Sequence, residues 1–314
     1  VAPRVYDLVL THALDTDDFF IQRVQHRCAE AGLNFFLVEP LWAPAFLDAL
    51  LQHRVAARAL VNLHSEHHAP EDVFSRLVAL AETRGVRMID PPSKALRAFD
   101  KAAMHPRLIH AGIHVPPTII LDSKAAAEWR PDETQAALLG SPFVIKPSLG
   151  YGRRGVVLDA LGPADIARSQ GAWPDRSILA QKKIAPTLLD GEPGYFRVYH
   201  VAGKTWACWW NCFTDRYREL TASDTERLGL GPLHTITRRI ADLSGLILFS
   251  TEICLDQAGE FVVIDYVNDQ IHLLTQSAHP AIGMPDRIVG EIADALVSLV
   301  VEWLQPVRAN PSSR

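Results

Sequence analysis

The first hundred residues alternate short apolar runs with amphipathic stretches. The runs at 5–10, 35–38, 59–63 and 86–89 read as strands. Between the first two, Phe20, Val24 and Cys28 recur at helical spacing behind Asp17 and Asp18 and stop at Gly32. Residues 71–83 set Val73, Leu77 and Leu80 on one helical face before Gly85. This rhythm predicts a small parallel sheet with crossover helices. No G-x-G-x-x-G follows the first strand, so dinucleotide binding at a helix end is not expected. Pro91-Pro92 marks a domain boundary.

Beyond it the pattern predicts a helix over 94–110, a strand over 118–121, a helix over 123–139 and a strand over 142–145. A glycine-rich loop, 148–155, then leads into a strand over 156–158, and the two strands around it read as a lid. Strands follow at 177–181, 195–201 and 205–210, the last two joined as a hairpin through Gly203-Lys204. A helix over 236–246 precedes two strands, 248–255 and 260–267, connected by the turn 256–259. The terminal helix, 286–304, turns Ile288, Ile292, Leu296, Leu299 and Val300 toward a core, and the tail after Pro306 is expected to be loose.

Composition narrows the class. The 314 residues suit about two domains. At 48% hydrophobic and 21% charged the chain is an ordinary globular one, neither disordered nor disulfide-knotted. A net charge of −5 argues against a general nucleic-acid binder. Among the 31 basic residues only seven are Lys, so a Lys at a chemically meaningful position carries more weight than it would in a lysine-rich chain. No apolar stretch approaches a membrane span, and no basic start with an apolar run suggests a signal peptide. Cys28, Cys208, Cys212 and Cys254 form no C-x-x-C pair and are expected to be reduced and mostly buried.

Four signals carry chemistry, and they come in one order. Lys101 follows Asp100 at a helix start. Lys146 ends an apolar strand and leads into the glycine loop. Glu252 lies on one strand, and Asp265 with Asn268 ends the strand paired to it. Two ammonium groups, a loop whose backbone can approach phosphate oxygens, and hard oxygen ligands are the parts a magnesium nucleotide needs. Each has a plain alternative: a solvated lysine, a hairpin turn, a capping carboxylate, or a carboxylate paired with an arginine such as Arg197. The order and spacing together favour the nucleotide. Glu252 and Asp265 lie nearly opposite across the turn 256–259, so they would repel unless a cation lay between them. His64, Glu66, His67 and His68 read as a solvated loop rather than a metal site. Trp206, Trp209 and Trp210 read as hairpin packing.

The sequence resembles the ATP-grasp superfamily, and within it the RimK-like carboxylate–amine ligases. The resemblance rests on Asp100-Lys101 with Gly112-Ile113-His114-Val115-Pro116-Pro117-Thr118, and on Pro142-Phe143-Val144-Ile145-Lys146-Pro147 with its glycine loop. It continues through Ile178-Leu179-Ala180-Gln181, Phe196-Arg197-Val198 and Val262-Val263-Ile264-Asp265-Tyr266-Val267-Asn268. It covers roughly residues 90–304. It implies an α/β and α+β protein: an ATP-grasp fold with an N-terminal Rossmann-like pre-ATP-grasp domain. The expected domains are 1–92 (N-terminal), 93–180 (central lid subdomain), 181–306 (C-terminal grasp subdomain) and 307–314 (loose tail).

The resemblance implies that ATP is held by Lys101, Lys146, Ser148, Gly150, Gly152 and Gly155, with hinge groups at Gln181, Lys182 and Ile184 reading adenine. Magnesium, with manganese as an alternative, would lie on Glu252, Asp265 and Asn268. Arg197 and Lys146 would be catalytic, and Arg216 and Arg218 are candidates for an acidic substrate. The implied activity is ATP-dependent amide or peptide bond formation through an acyl phosphate, with release of ADP and phosphate. The alternatives are a kinase acting on a polyol or inositol phosphate, and a nucleotide-binding protein without catalysis. The implied partners are a small-molecule or peptide carboxylate and an amine, with no nucleic acid or membrane, in the cytoplasm; a homo-oligomer is compatible with this. Three departures stand out. Lys182 follows the hinge Gln where an acid is common. Tyr195 stands where Asp is common, leaving Asp190 or Glu192 for the ribose. Asp265 and Asn268 are three apart where the family has Glu-x-Asn. Three apart on a regular strand means opposite faces, so Asn268 needs a bulge near Tyr266, and Asp269 is the fallback ligand.

Overall fold

The computed structural model describes residues 2–12, 18–64, 71–126, 128–150, 152–268 and 271–305. Two compact units emerge: 1–92 with 270–314, and 93–269.

The first unit holds β1 (Arg4–Thr11), α1 (Asp18–Glu30), β2 (Phe35–Val38), α2 (Ala43–Leu51), β3 (Val55–Asn62), α3 (Val73–Thr83) and β4 (Arg87–Ile89). Its sheet is wholly parallel, in the order β2-β1-β3-β4. The C-terminal halves of β1 and β3 are buried without a break, as a strand covered on both faces requires. Phe46, Leu47, Phe74 and Leu77 from α2 and α3 share a core with Tyr6, Val9 and Leu60. Helix α2 escapes the sequence pattern, although Pro44 stands in its first turn and Phe46, Leu47 and Leu50 form its stripe. His64 lies against the Asp72 carboxylate (3.1 Å) and stacks on Phe74, while Glu66, His67 and His68 lie outside the described residues.

The second unit contains α4 (Pro92–Phe99), α5 (Lys101–His110), β5 (Thr118–Asp122), α6 (Ser123–Ala126), α7 (Glu133–Leu139), β6 (Phe143–Pro147), β7 (Val157–Ala160), α8 (Pro163–Ala172) and β8 (Ser177–Lys182). It continues with β9 (Leu188–Leu189), β10 (Glu192–Pro193), β11 (Tyr195–Val201), β12 (Lys204–Trp210), β13 (Tyr217–Glu219), α9 (Ala222–Arg227), α10 (Pro232–Ser244), β14 (Leu248–Leu255) and β15 (Phe261–Asn268). Two predicted helices are each divided. Asp100 caps α5 through Ala103 N–H and so ends α4, because its carboxylate competes for backbone donors. Pro131 excludes a helical residue before it, and Asp132 with Gln135 then starts α7 by a capping box.

An antiparallel sheet, β5-β8-β6-β7, packs Phe143, Ile145 and Ile178 against Ile166 of α8 and Leu139 of α7. A five-stranded antiparallel sheet, β13-β12-β11-β14-β15, has two unlike faces. One sets Phe196, Val198, Trp209, Phe249, Ile253 and Val263 against Leu233, Ile240 and Ala241 of α10. Each such large side chain, fully buried, contributes about 2 kcal/mol. The other face carries the polar residues described below.

Helix α11 (Asp286–Leu304) closes the chain, and here the structure departs from the expected domain 181–306. It packs along α1 in the first unit, where Arg23 makes a two-bonded pair with Asp294 (2.8 and 2.7 Å). Its stripe shows that it faces a core but carries no mark of which one. The four cysteines are unbridged. Among the described residues no helix is long and apolar enough to cross a membrane.

Candidate functional site

The site is built on the polar face of the five-stranded sheet. Alternation along β11 turns Phe196 and Val198 into the core and leaves Arg197 on the opposite face. Arg197 pairs in register with Glu252 of β14, and Glu252 pairs in turn with Asp265 of β15. The register between β14 and β15 slips twice: Ile253 faces Val263, Glu252 faces Asp265, and Ser250 faces Asn268. Each slip adds one residue to β15, which is a bulge. Asp265 and Asn268, three apart, therefore stand opposite Glu252 and Ser250, which are two apart and share a face. The bulge that Asn268 needs is present at Tyr266 and Val267. The Thr251 hydroxyl donates to the Asp265 carbonyl (2.9 Å), and the Tyr266 N–H donates to Asp265 Oδ1 (3.1 Å). Asp269 lies outside the described residues.

Three cations converge on these carboxylates. Arg197 pairs with Glu252, donates to the Tyr217 hydroxyl (2.5 Å) and lies 4.2 Å over the Trp210 ring. Lys101, at the start of α5, has Nζ 3.8 Å from Asp265 Oδ1 and donates to the Gly150 carbonyl (3.1 Å). Lys146, on β6, donates to the carbonyl of Ile264, the extra residue of the first bulge (2.6 Å). Burial pushes the Lys146 ammonium below the usual lysine range, against the opposing pull of Asp265 and Glu252. Burial raises Glu252 above the ordinary carboxylate range; Arg197 opposes that shift and Asp265 adds to it.

The glycine loop is tied at its base. Ser148 donates its hydroxyl to Asp100 (2.5 Å) and accepts the Ala102 N–H (2.9 Å), which joins the loop to the start of α5. That hydroxyl is thus engaged within the protein. Gly155, at φ +72°, has no room for a side chain: a Cβ would lie 2.7 Å from Pro147 Cγ and 2.9 Å from Trp173 Cβ. Gly152, at φ +57°, faces open space, and Gly150 touches Pro147 closely. Of the two tip arginines, Arg154 lies over Trp173. Arg153 reaches across to Asp215 (2.6 and 3.2 Å) and to the Cys212 carbonyl (3.0 Å).

At the hinge, Gln181 turns its side chain inward and donates to Thr118 (3.0 Å) and to the Tyr266 hydroxyl (2.9 Å), which also meets His105 Nδ1 (2.5 Å). This buried chain fastens β5, β8, α5 and β15 together. Tyr266→Phe removes its centre and leaves two buried polar groups without their partner. The expected cost is about 2 kcal/mol of stability, read as a lower midpoint in urea unfolding with an unchanged slope. The Lys182 N–H donates to Pro117 (2.8 Å), and the Ile184 carbonyl accepts from the Tyr195 hydroxyl (3.2 Å).

Other expected residues lie elsewhere. Asp190 sits in the turn between β9 and β10 and pairs with Arg227 through two bonds (3.2 and 2.5 Å). Arg218 pairs in register with Trp209, stacks on it at 4.6 Å, and so lies on the sheet face opposite Arg197. Arg216 is exposed immediately before β13. Sequence reasoning passed over Tyr217, Tyr266 and His105, and treated Trp210 as packing. Trp210 and Tyr217 share the Arg197 face, and the hairpin alternation was the available signal.

The arrangement suits a divalent cation. A buried carboxylate, Glu252, faces a half-buried one, Asp265, and beside them the Ser250 hydroxyl makes no hydrogen bond among the described residues. Among the described residues no three His, Cys, Asp or Glu side chains gather, so a cation here would complete its shell with amide, water or ligand oxygens.

No protein-family model matches the chain. A stretch is 34% identical over 126 residues to N5-carboxyaminoimidazole ribonucleotide synthase of Mycobacterium bovis, covering 38% of this chain and 27% of that enzyme. The chain thus spans little more than a quarter of the curated relative's length. Among solved structures, a RimK-domain ATP-grasp protein from Sphaerobacter thermophilus superposes with a TM-score of 0.63 at 20% identity, covering 92% of this chain and 99% of that one. D-alanine–D-alanine ligase from Bacillus anthracis, complexed with ATP, gives 0.63 at 14% identity over 96% and 98%. The ATP-grasp ligase PsnB, complexed with its minimal precursor, Mg and ADP, gives 0.58 at 18% identity over 94% and 98%. Likeness over nearly the whole chain, with two antiparallel sheets flanking a cation-rich site, shows that this chain has the ATP-grasp fold.

Proposed function

We propose that the protein is an ATP-dependent carboxylate–amine ligase. The observation that carries this reading is the convergence of Lys101, Lys146 and Arg197 on the facing carboxylates Glu252 and Asp265, beside a glycine loop. Lys101 and Lys146 would bind the phosphates of ATP, with the Gly150–Gly155 backbone closing over them. The hinge offers the Lys182 carbonyl and the Ile184 N–H to adenine. Glu252, Asp265 and Asn268 would hold magnesium, which when bound offsets phosphate charge. A substrate carboxylate oxygen would take the γ-phosphoryl group as its bond to ADP breaks. An amine would then add to the acyl carbon, lose its proton and release phosphate. Arg197 would bind the oxygens that gain charge, and no covalent nucleophile is required.

The likeness to a ligase complexed with a precursor peptide and to D-alanine–D-alanine ligase supports a small-molecule or peptide carboxylate as substrate. A protein that spends ATP on amide formation belongs in the cytoplasm. The test is profiling of cell-extract metabolites incubated with the protein and magnesium ATP. A new amide with equimolar ADP and phosphate supports the reading; a phosphorylated acceptor without phosphate release contradicts it.

The lowered Lys146 affinity for its proton gives a pH dependence. Bound phosphate favours the ammonium form, so ATP binds with full strength below the lowered value and more weakly as pH rises through it. The decline is expected to begin below about 10.4, the value of an unperturbed lysine. Calorimetric titration with ATP at rising pH checks this, and constant affinity up to that value contradicts it.

A further inference from the structure

We infer that Arg197 is the resident counter-cation of Glu252 in the nucleotide-free protein, and that a divalent cation binding at Glu252 must displace it. The inference rests on the reading of Glu252 and Asp265 as metal ligands and concerns what occupies their charge before the metal arrives.

Glu252 stands between two cross-strand neighbours, Arg197 on β11 and Asp265 on β15. The side chains of Arg197 and Glu252 are only 15% and 11% exposed, so each needs the charge of the other. Asp265 has its own cation, Lys101, at 3.8 Å. The carboxylate pair is therefore balanced by the protein's own charges. A metal bringing two positive charges to the same place meets a guanidinium already bonded to one of its ligands.

The seat of that guanidinium is incomplete. Tyr217 accepts one Nη, Trp210 supplies its face, and Glu252 takes the other Nη, but Nε–H is buried with no partner among the described residues. A guanidinium can make five hydrogen bonds, and this one leaves a buried donor unused. Glu252's charge is what holds it there, with Tyr217 and Trp210 as positioning residues. An anion arriving with the metal would give the guanidinium a second acceptor. Metal alone must compete with Arg197, whereas metal with nucleotide need not. The two should therefore bind with positive coupling, and each should raise the other's affinity by the same factor.

The test measures Mn2+ binding without nucleotide, from the free-ion electron paramagnetic resonance signal, in the full chain. Arg197→Met keeps much of the stem volume and removes the charge. It is expected to bind Mn2+ alone about tenfold more tightly than the unmodified protein, the equivalent of one charge-assisted hydrogen bond. Tyr217→Phe keeps every charge and loosens the seat. It is expected to shift Mn2+ affinity the same way by about threefold, within the range of one neutral hydrogen bond, and it carries the test if Arg197→Met fails to fold. Unchanged Mn2+ affinity in the variants that fold would overturn the inference. Asp265→Asn separates the two readings. If it weakens Mn2+ binding in the nucleotide-free protein while Arg197→Met leaves Mn2+ affinity unchanged, the metal site stands and the displacement falls. If Arg197→Met still binds Mn2+ tightly when combined with Asp265→Asn, the metal lies elsewhere and both fall.

Discussion

Lys146→Ala is expected to lower kcat on the order of a thousandfold and to weaken ATP binding at least about tenfold. The ammonium donates to the carbonyl of Ile264 and feels the charge of Asp265 and Glu252, near the end of a strand whose other residues are buried. Its stem packs, so the charge is held in place before nucleotide arrives. Lys101 enters from α5 on the Asp265 side, and removing either ammonium leaves polyphosphate charge that the other cannot reach. Lys146→Met, which keeps the stem, separates packing from charge: it should regain stability and not activity. Turnover and nucleotide affinity close to those of the unmodified protein in both variants would remove Lys146 from the site.

Asp265→Asn is expected to cost about a hundredfold or more in turnover while nucleotide affinity changes only a few-fold. The substitution keeps the shape, and its amide can still accept the Tyr266 N–H. What it removes is one of two facing negative charges. In the nucleotide-free protein that relieves a charge that raises the proton affinity of Glu252 but leaves Lys101 without its carboxylate. The two effects oppose each other, so stability should change little and the magnesium-dependent step should suffer most. Raising magnesium should recover part of the activity. Full activity at low magnesium would show that Asp265 is not a ligand.

How far the sequence discloses this site depends on the range of the interaction involved. Lys146 and Asp265 end apolar strands, and Glu252 lies opposite Asp265 across a short turn, so local pattern and turn arithmetic bring these together. The ligand position proposed at Asn268 needs a bulge, and a bulge belongs to a pair of strands rather than to either one. The aromatic seat of Arg197 is partly legible, because alternation from Cys208 puts Trp210 on its face. Tyr217 lies on a three-residue strand too short to leave a period. Tyr266 reads as a spacer between two ligands, and only the meeting of α5, β8 and β15 gives its hydroxyl two partners. Asp190 and Arg218 are the converse: acids and bases at plausible distances along the chain that the structure engages elsewhere. The terminal helix shows the same limit at the scale of the fold, since an apolar stripe does not name the core it faces.

The most direct test of the central claim replaces the amine with hydroxylamine. The protein, magnesium ATP and a pool of carboxylates are incubated, and hydroxamates are sought together with ADP and phosphate. An acyl phosphate intermediate predicts one ADP and one phosphate for each hydroxamate, lost in Lys146→Ala. ATP consumed into a stable phosphorylated acceptor, or bound without turnover across the pool, would contradict the account.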